Sequence, residues 1–168
     1  MFILYFGGQK SGKSKLAELA ALKLAQDNYI STKPFYIATY NNTFNDMNMQ
    51  KRINKHRKQR GDKFINIQEQ FDLPKVIKEN QTYLVDCISM WIFNHLETSQ
   101  EYFIQQIKQL SHLNTNIVFV LNDVNCGIIP TSKMGRKFVD LTGVVGQKLA
   151  QICDKVYEVK LGIQIQIK

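Results

Sequence analysis

Cysteine, proline and acidic residues are all scarce in this chain of 168 residues. Its three cysteines, Cys87, Cys126 and Cys153, are odd in number, widely separated and without the paired spacing of a zinc site. That excludes a disulfide framework and a structural zinc, and predicts reduced thiols with structural roles. Three prolines and nine glycines are too few for a collagen-like or low-complexity chain. No apolar run reaches the ~20 residues that span a bilayer. The chain opens into an apolar run with no basic leader before it, so the expectation is a cytoplasmic protein without a membrane span. Its length and 44% hydrophobic content predict one domain, residues 1–168, that buries its own core.

The shortage of acid leaves 22 Lys and Arg against 14 Asp and Glu, a formal charge of +8. Much of the excess is local: Lys51, Arg52, Lys55, Arg57, Lys58, Arg60 and Lys63 crowd one segment. Such a run is either a solvated helix face or a grip for phosphate. A nucleic-acid reading is not favoured, because the segment lacks an array of stacking aromatics.

What the chain does have is a complete G-x-x-x-x-G-K-S loop, Gly7-Gly8-Gln9-Lys10-Ser11-Gly12-Lys13-Ser14, directly after the apolar run Phe2-Ile3-Leu4-Tyr5-Phe6. Glycines let successive N–H groups curl around phosphate oxygens, Lys13 reaches the outer phosphates, and the Ser14 hydroxyl is a ligand for Mg²⁺. An Ala/Leu-rich helical stretch follows, adding its positive N-terminal end. Strand, loop and helix in this order predict a nucleotide site rather than a structural turn.

Short apolar runs alternate with longer periodic ones. Strands are expected at 2–6, 35–39, 64–67, 83–86, 117–122, 156–159 and 163–167, and helices at 13–26, 46–60, 73–79, 88–96, 102–113 and 136–153. This alternation predicts an α/β fold of the P-loop NTPase kind: a mostly parallel sheet, helices on both faces, and an antiparallel edge at the C-terminus. Ligands in such sheets sit beyond the carboxyl ends of the strands, so the loops after Phe6, Thr39, Asp86 and Asn122 should meet at one crevice.

Asp86, ending Tyr83-Leu84-Val85-Asp86, is the first candidate for the carboxylate that holds the Mg²⁺ shell, with Asp123 its competitor. Either residue alternatively caps the helix after it. In the 46–60 segment a helix would set Arg52, His56 and Arg60 on one stripe at i, i+4 and i+8. Flanking positive charge favours a neutral, nucleophilic imidazole at His56 and leaves the guanidiniums to hold phosphate. The bland alternative is a surface histidine in a basic helix. His95 and His112 have no comparable setting and read as structural.

Taken in order, these motifs resemble the bifunctional adenosylcobinamide kinase/adenosylcobinamide-phosphate guanylyltransferase family of cobalamin biosynthesis, over essentially the whole chain. The resemblance rests on the phosphate loop, Tyr36-Ile37-Ala38-Thr39, the R-I-x-x-H-R-x-x-R pattern from Arg52 to Arg60, and Asp86-Cys87-Ile88-Ser89-Met90-Trp91-Ile92-Phe93-Asn94 with its D-C-x-x-x-W pattern. It continues in the loop Asn122-Asp123-Val124-Asn125-Cys126-Gly127-Ile128-Ile129-Pro130 and in Arg136 to Asp140. It implies two reactions at one site: phosphorylation of adenosylcobinamide by ATP or GTP, then transfer of GMP from GTP, through a covalent histidine-GMP, to give adenosylcobinamide-GDP. On this resemblance His56 is the nucleophile. Nucleotide contacts fall to Gly7, Gly8, Gln9, Lys10, Ser11, Gly12, Lys13, Ser14, Ala38, Thr39, Tyr40, Arg57, Lys58, Gln59, Arg60, Gln68 or Glu69, and Asp86. Ser14 and Asp86 are the implied Mg²⁺ ligands, and a homotrimer is implied by analogy.

The chain departs from the family pattern in places. Gln68 stands where an acidic residue is usual, unless Glu69 serves in a shifted register. Asn48 and Asn125 replace other usual residues, and Val139, Val144 and Gly146 replace arginine and asparagine positions. Two further readings follow: a P-loop kinase with only one of the two activities, or a nucleotide-dependent binding protein.

Overall fold

In the computed structural model, residues 1–27, 33–41, 61–125 and 127–168 are described. The expected helix at 46–60, with Arg52, His56, Arg57, Lys58, Gln59 and Arg60, lies outside the described residues, as does Cys126.

Seven strands form one sheet: β1 (Phe2–Gly7), β2 (Phe35–Ala38), β3 (Ile65–Gln68), β4 (Thr82–Asp86), β5 (Asn116–Asn122), β6 (Lys155–Lys160) and β7 (Ile163–Gln166), in the order β3-β2-β4-β5-β1-β6-β7. All neighbours pair in parallel except β6 and β7, which form an antiparallel hairpin at the edge. This is the sheet the sequence predicts. The helices are α1 (Lys13–Asp27), α2 (Leu73–Val76), α3 (Ile88–Asn94), α4 (Gln100–Ser111) and α5 (Lys133–Ile152).

Because strand side chains alternate between faces, the apolar runs of the central strands feed two cores. Leu4, Val85, Ile117 and Phe119 join Trp91, Phe103, Leu110, Val145 and Leu149 on the face covered by α3, α4 and α5. Ile3, Tyr5, Leu84, Val118 and Val120 meet Ala17 and Ala21 on the other face, under α1. The buried stripe of α1 is Lys13, Ala17, Ala21 and Ala25, one residue per turn. Small side chains there let the helix lie close to the sheet, which sets its N-terminus at the end of β1.

Four helices depart from expectation by two residues or more; α4 runs Gln100–Ser111 rather than over 102–113. α2 stops at Val76 rather than 79, because Ile77 turns extended to bury itself and the Lys78 N–H is taken by Tyr83 Oη at 2.9 Å. α3 stops at Asn94 rather than 96; His95, buried, is the C-cap, and its Nδ1 lies 2.9 Å from the Trp91 carbonyl. α5 begins three residues before its expected start, where Ser132 Oγ accepts the Gly135 N–H.

Candidate active site

The parallel strands β1, β2, β4 and β5 end on the same side of the sheet, and the loops that leave them are tied together by hydrogen bonds. The Asp123 N–H donates to the Gly7 carbonyl (2.8 Å), joining the loop after β5 to the start of the phosphate loop. Ser89 Oγ accepts the Asn122 N–H (2.9 Å), and Asn122 Nδ2 approaches Cys87 Sγ (3.6 Å). Thr39 Oγ1 donates to the Cys87 carbonyl (2.7 Å) and accepts the Cys87 N–H (3.0 Å), while Asn94 Nδ2 donates to the Thr39 carbonyl (2.8 Å). The crevice read from the sequence is therefore one connected set of loop ends.

Within Gly7–Ser14, Lys10 and Gly12 adopt positive φ (60° and 99°), the curl that points backbone donors inward. The Lys13 side chain is buried, and its Nζ donates to the Gly8 carbonyl at 3.1 Å. Ser11 Oγ is buried and without a hydrogen-bond partner among the described residues. A buried hydroxyl of that kind is costly unless a ligand oxygen completes it. Gly8, Gln9 and Lys10 are exposed, and Ser14 is partly buried in the first turn of α1.

On the far side of β5, Asp86 ends β4. Its Oδ2 accepts from Tyr36 Oη at 3.0 Å, a contact across the β2–β4 pair. It does not cap the next helix: the N-cap of α3 is Cys87, which makes no side-chain capping bond. Asp123 does not cap α5 either, since Ser132 does; its Oδ1 accepts the Asn125 N–H at 3.1 Å. Burial and the neighbouring Asp86 carboxylate push the Cys87 thiol above its usual range, so at neutral pH it is a protonated wall of the crevice and not a nucleophile.

Ala38 pairs with Gln68 on one side and Asp86 on the other, and Thr39 and Tyr40 follow it into the crevice rim. Gln68 is exposed at the end of β3, whereas Glu69 Oε1 already accepts the Phe71 and Asp72 N–H groups (2.9 and 3.0 Å). His95 is packed among Phe71, Trp91, Tyr102 and Phe103, and His112 caps the end of α4. Tyr36, Ser89 and Asn94 lie inside motifs of the resemblance, but sequence reasoning gave them no role; the partners Asp86, Asn122 and Thr39 are set by strand pairing and by the packed end of α3.

A phosphate loop at the end of a central parallel strand, with an acidic strand end one strand removed, defines a P-loop nucleotide-binding α/β protein. A family model described as cobinamide kinase / cobinamide phosphate guanyltransferase matches residues 3–167, and the chain belongs to that family. It is 28% identical to the bifunctional adenosylcobalamin biosynthesis protein CobP of Pseudomonas aeruginosa, over 98% of this chain and 96% of that one. It is also 28% identical to the bifunctional adenosylcobalamin biosynthesis protein CobU of Escherichia coli K12, over the full length of both. Among solved structures, a Pyrococcus horikoshii OT3 protein matches 99% of this chain and 85% of its own, with a TM-score of 0.50 at 12% identity, a likeness of fold. No helix among the described residues is long and apolar enough to cross a membrane.

Proposed function

We propose that this protein phosphorylates adenosylcobinamide with ATP or GTP and then transfers GMP from GTP to the product through His56. The observation that carries the reading is the match of the family model over residues 3–167, in a chain that keeps both the phosphate loop and the histidine of the family pattern.

In the first reaction the corrinoid hydroxyl oxygen attacks the γ-phosphorus. Its bond to the β-bridging oxygen breaks, the nucleoside diphosphate leaves with the electron pair, and the hydroxyl proton passes to solvent. The protein's part is to position and to stabilise charge. Loop N–H groups and Lys13 hold the phosphates, and Ser11 Oγ gains the partner it lacks. In the second reaction the His56 lone pair attacks the α-phosphorus of GTP and pyrophosphate leaves. A phosphate oxygen of the phosphorylated corrinoid then displaces the imidazole, breaking the N–P bond and giving the GDP-linked product.

Residues for Mg²⁺ are Ser14 and Asp86. Ser14 Oγ and Asp86 Oδ1 carry no hydrogen bond among the described residues, and hard oxygens of this kind suit Mg²⁺, which keeps most of its waters and takes one or two protein ligands. Two strand spacings, roughly 10 Å, separate the ends of β1 and β4. That gap fits a metal and phosphate oxygens between Ser14 and Asp86, whereas Asp123 sits one spacing away with Oδ1 engaged. When bound, the ion neutralises charge on the phosphates.

Incubation with Mg²⁺ and GTP labelled at the α-phosphate tests the transferase half. Acid-labile, base-stable label on the wild type and none on His56→Ala is expected. Nucleotide binding without label on the wild type would refute it, leaving the kinase reaction, assayed separately on cobinamide.

A further inference from the structure

The hydroxyl that attacks in the first reaction must shed a proton, whereas neither step of the second reaction has one to lose. A neutral imidazole attacks through its lone pair, and the phosphate of the phosphorylated corrinoid is already anionic at neutral pH. A base in the crevice would therefore serve phosphorylation alone. It has to stand where the acceptor meets the outer phosphate, in front of the phosphate loop.

Among the described residues, Glu69, Asp86 and Asp123 are the carboxylates that end or directly follow a parallel strand. Neighbouring strands lie about 5 Å apart. Glu69 follows β3, four spacings or roughly 20 Å from β1, and its Oε1 is engaged within its own loop. Asp86 ends β4, two spacings away, and is the proposed metal ligand. Asp123 follows β5, the strand beside β1. The register carries it further forward: Val120 pairs with Asp86 and Asn122 with Gly7, so β5 outruns β4 by two residues and Asp123 is the first residue past the strand. Its N–H donates to the Gly7 carbonyl at 2.8 Å, which sets it where the phosphate loop begins.

The Asp123 side chain is held without being used up. Its Oδ1 accepts the Asn125 N–H at 3.1 Å, and Asn125 lies against α5, where a Cβ on Gly143 would come 2.9 Å from its Nδ2. Oδ2 carries no hydrogen bond among the described residues, and the residue is half-buried. Like charge makes a carboxylate a poor direct contact for phosphate. It suits a proton. We infer that Asp123 is the general base of the phosphorylation step. Its Oδ2 accepts the hydrogen bond of the corrinoid hydroxyl and takes the proton as the new oxygen–phosphorus bond forms and the bond to the β-bridging oxygen breaks; the proton then leaves to solvent and the carboxylate is restored. This rests on the two-reaction reading above.

Asp123→Asn tests it, because the amide oxygen still accepts the Asn125 N–H while the base is gone, and the protein should melt with the wild type. With Mg²⁺-ATP and cobinamide, kcat should fall about a hundredfold at an unchanged KM for ATP, and inorganic tripolyphosphate should bind as before. His56 should still take label from α-labelled GTP and pass it to cobinamide phosphate supplied ready-made. Asp123→Glu, which brings back a carboxylate, should recover most of the phosphorylation rate. An unchanged kcat in Asp123→Asn would overturn the inference. So would a kcat restored by excess Mg²⁺, which makes Asp123 a metal contact, or parallel losses of phosphorylation, His56 labelling and tripolyphosphate binding, which make it a prop for the phosphate loop. A wild type that binds tripolyphosphate but never phosphorylates cobinamide would instead remove the kinase reading, and the inference with it.

Discussion

Thr39 and Cys87 are joined by two hydrogen bonds through a single hydroxyl, which donates to the Cys87 carbonyl and accepts the Cys87 N–H. The pair locks the end of β2 to the peptide that follows Asp86. Thr39 is fully buried, so Thr39→Val, of nearly the same shape, strands the Cys87 N–H, while the Cys87 carbonyl keeps the Met90 and Trp91 N–H donors. A loss of about 1–2 kcal/mol in urea unfolding is expected, with Thr39→Ser close to the wild type.

Two glycines of the phosphate loop should respond oppositely to alanine. A Cβ at Gly7 would run into the Val159 carbonyl oxygen, whereas one at Gly8 would meet nothing within 4 Å. Gly7→Ala should cost several kcal/mol or fail to fold. Gly8→Ala should stay within about 0.5 kcal/mol of the wild type in thermal unfolding while weakening nucleotide binding, since the space it fills is the space a phosphate needs.

Tyr36 holds one oxygen of Asp86, and its removal leaves the carboxylate present but free to rotate. With Asp86 as the proposed Mg²⁺ ligand, in Tyr36→Phe the Mg²⁺ concentration for half-maximal phosphorylation should rise roughly tenfold, in the range typical of residues that orient a metal ligand. The tripolyphosphate affinity measured without Mg²⁺ should not move.

Stability should fall in alkali. Burial and the Tyr157 hydroxyl push the Tyr5 phenol from 10.0 up to about 12, and burial pushes the Cys153 thiol from 9.0 up to about 12. Both are raised acids that stay protonated when folded and ionise earlier when unfolded. Their contribution is complete below about pH 9 and is lost as the pH climbs toward 12, on the order of a few kcal/mol in all. Melting temperatures from pH 8 to 11 should decline, and Tyr5→Phe with Cys153→Ala should flatten that decline.

The strands were legible because their apolar runs are short, separated and β-rich, and each expected strand is found within a residue or two of its place. The membership of the family and the parallel sheet with its antiparallel edge were legible too. Helix ends were not, where tertiary contacts decide them: the Tyr83 hydroxyl that captures Lys78 and stops α2 arrives from another element. The phosphate loop announced itself as a contiguous motif. The roles of Tyr36 and Asn94 did not, since what each touches is set by strand pairing and by a packed helix end.

The phosphate loop is gripped from both flanks, by the Asp123 N–H on the Gly7 carbonyl and by the Gly162 N–H on the Ser11 carbonyl. Its order is thus inherited from the sheet. The entropy of arranging the loop is settled when the chain folds, and an arriving nucleotide has little left to organise there. Association should then be limited by encounter and by the shedding of water, and the loop's unbonded N–H groups should gain protection from exchange only when the phosphates arrive.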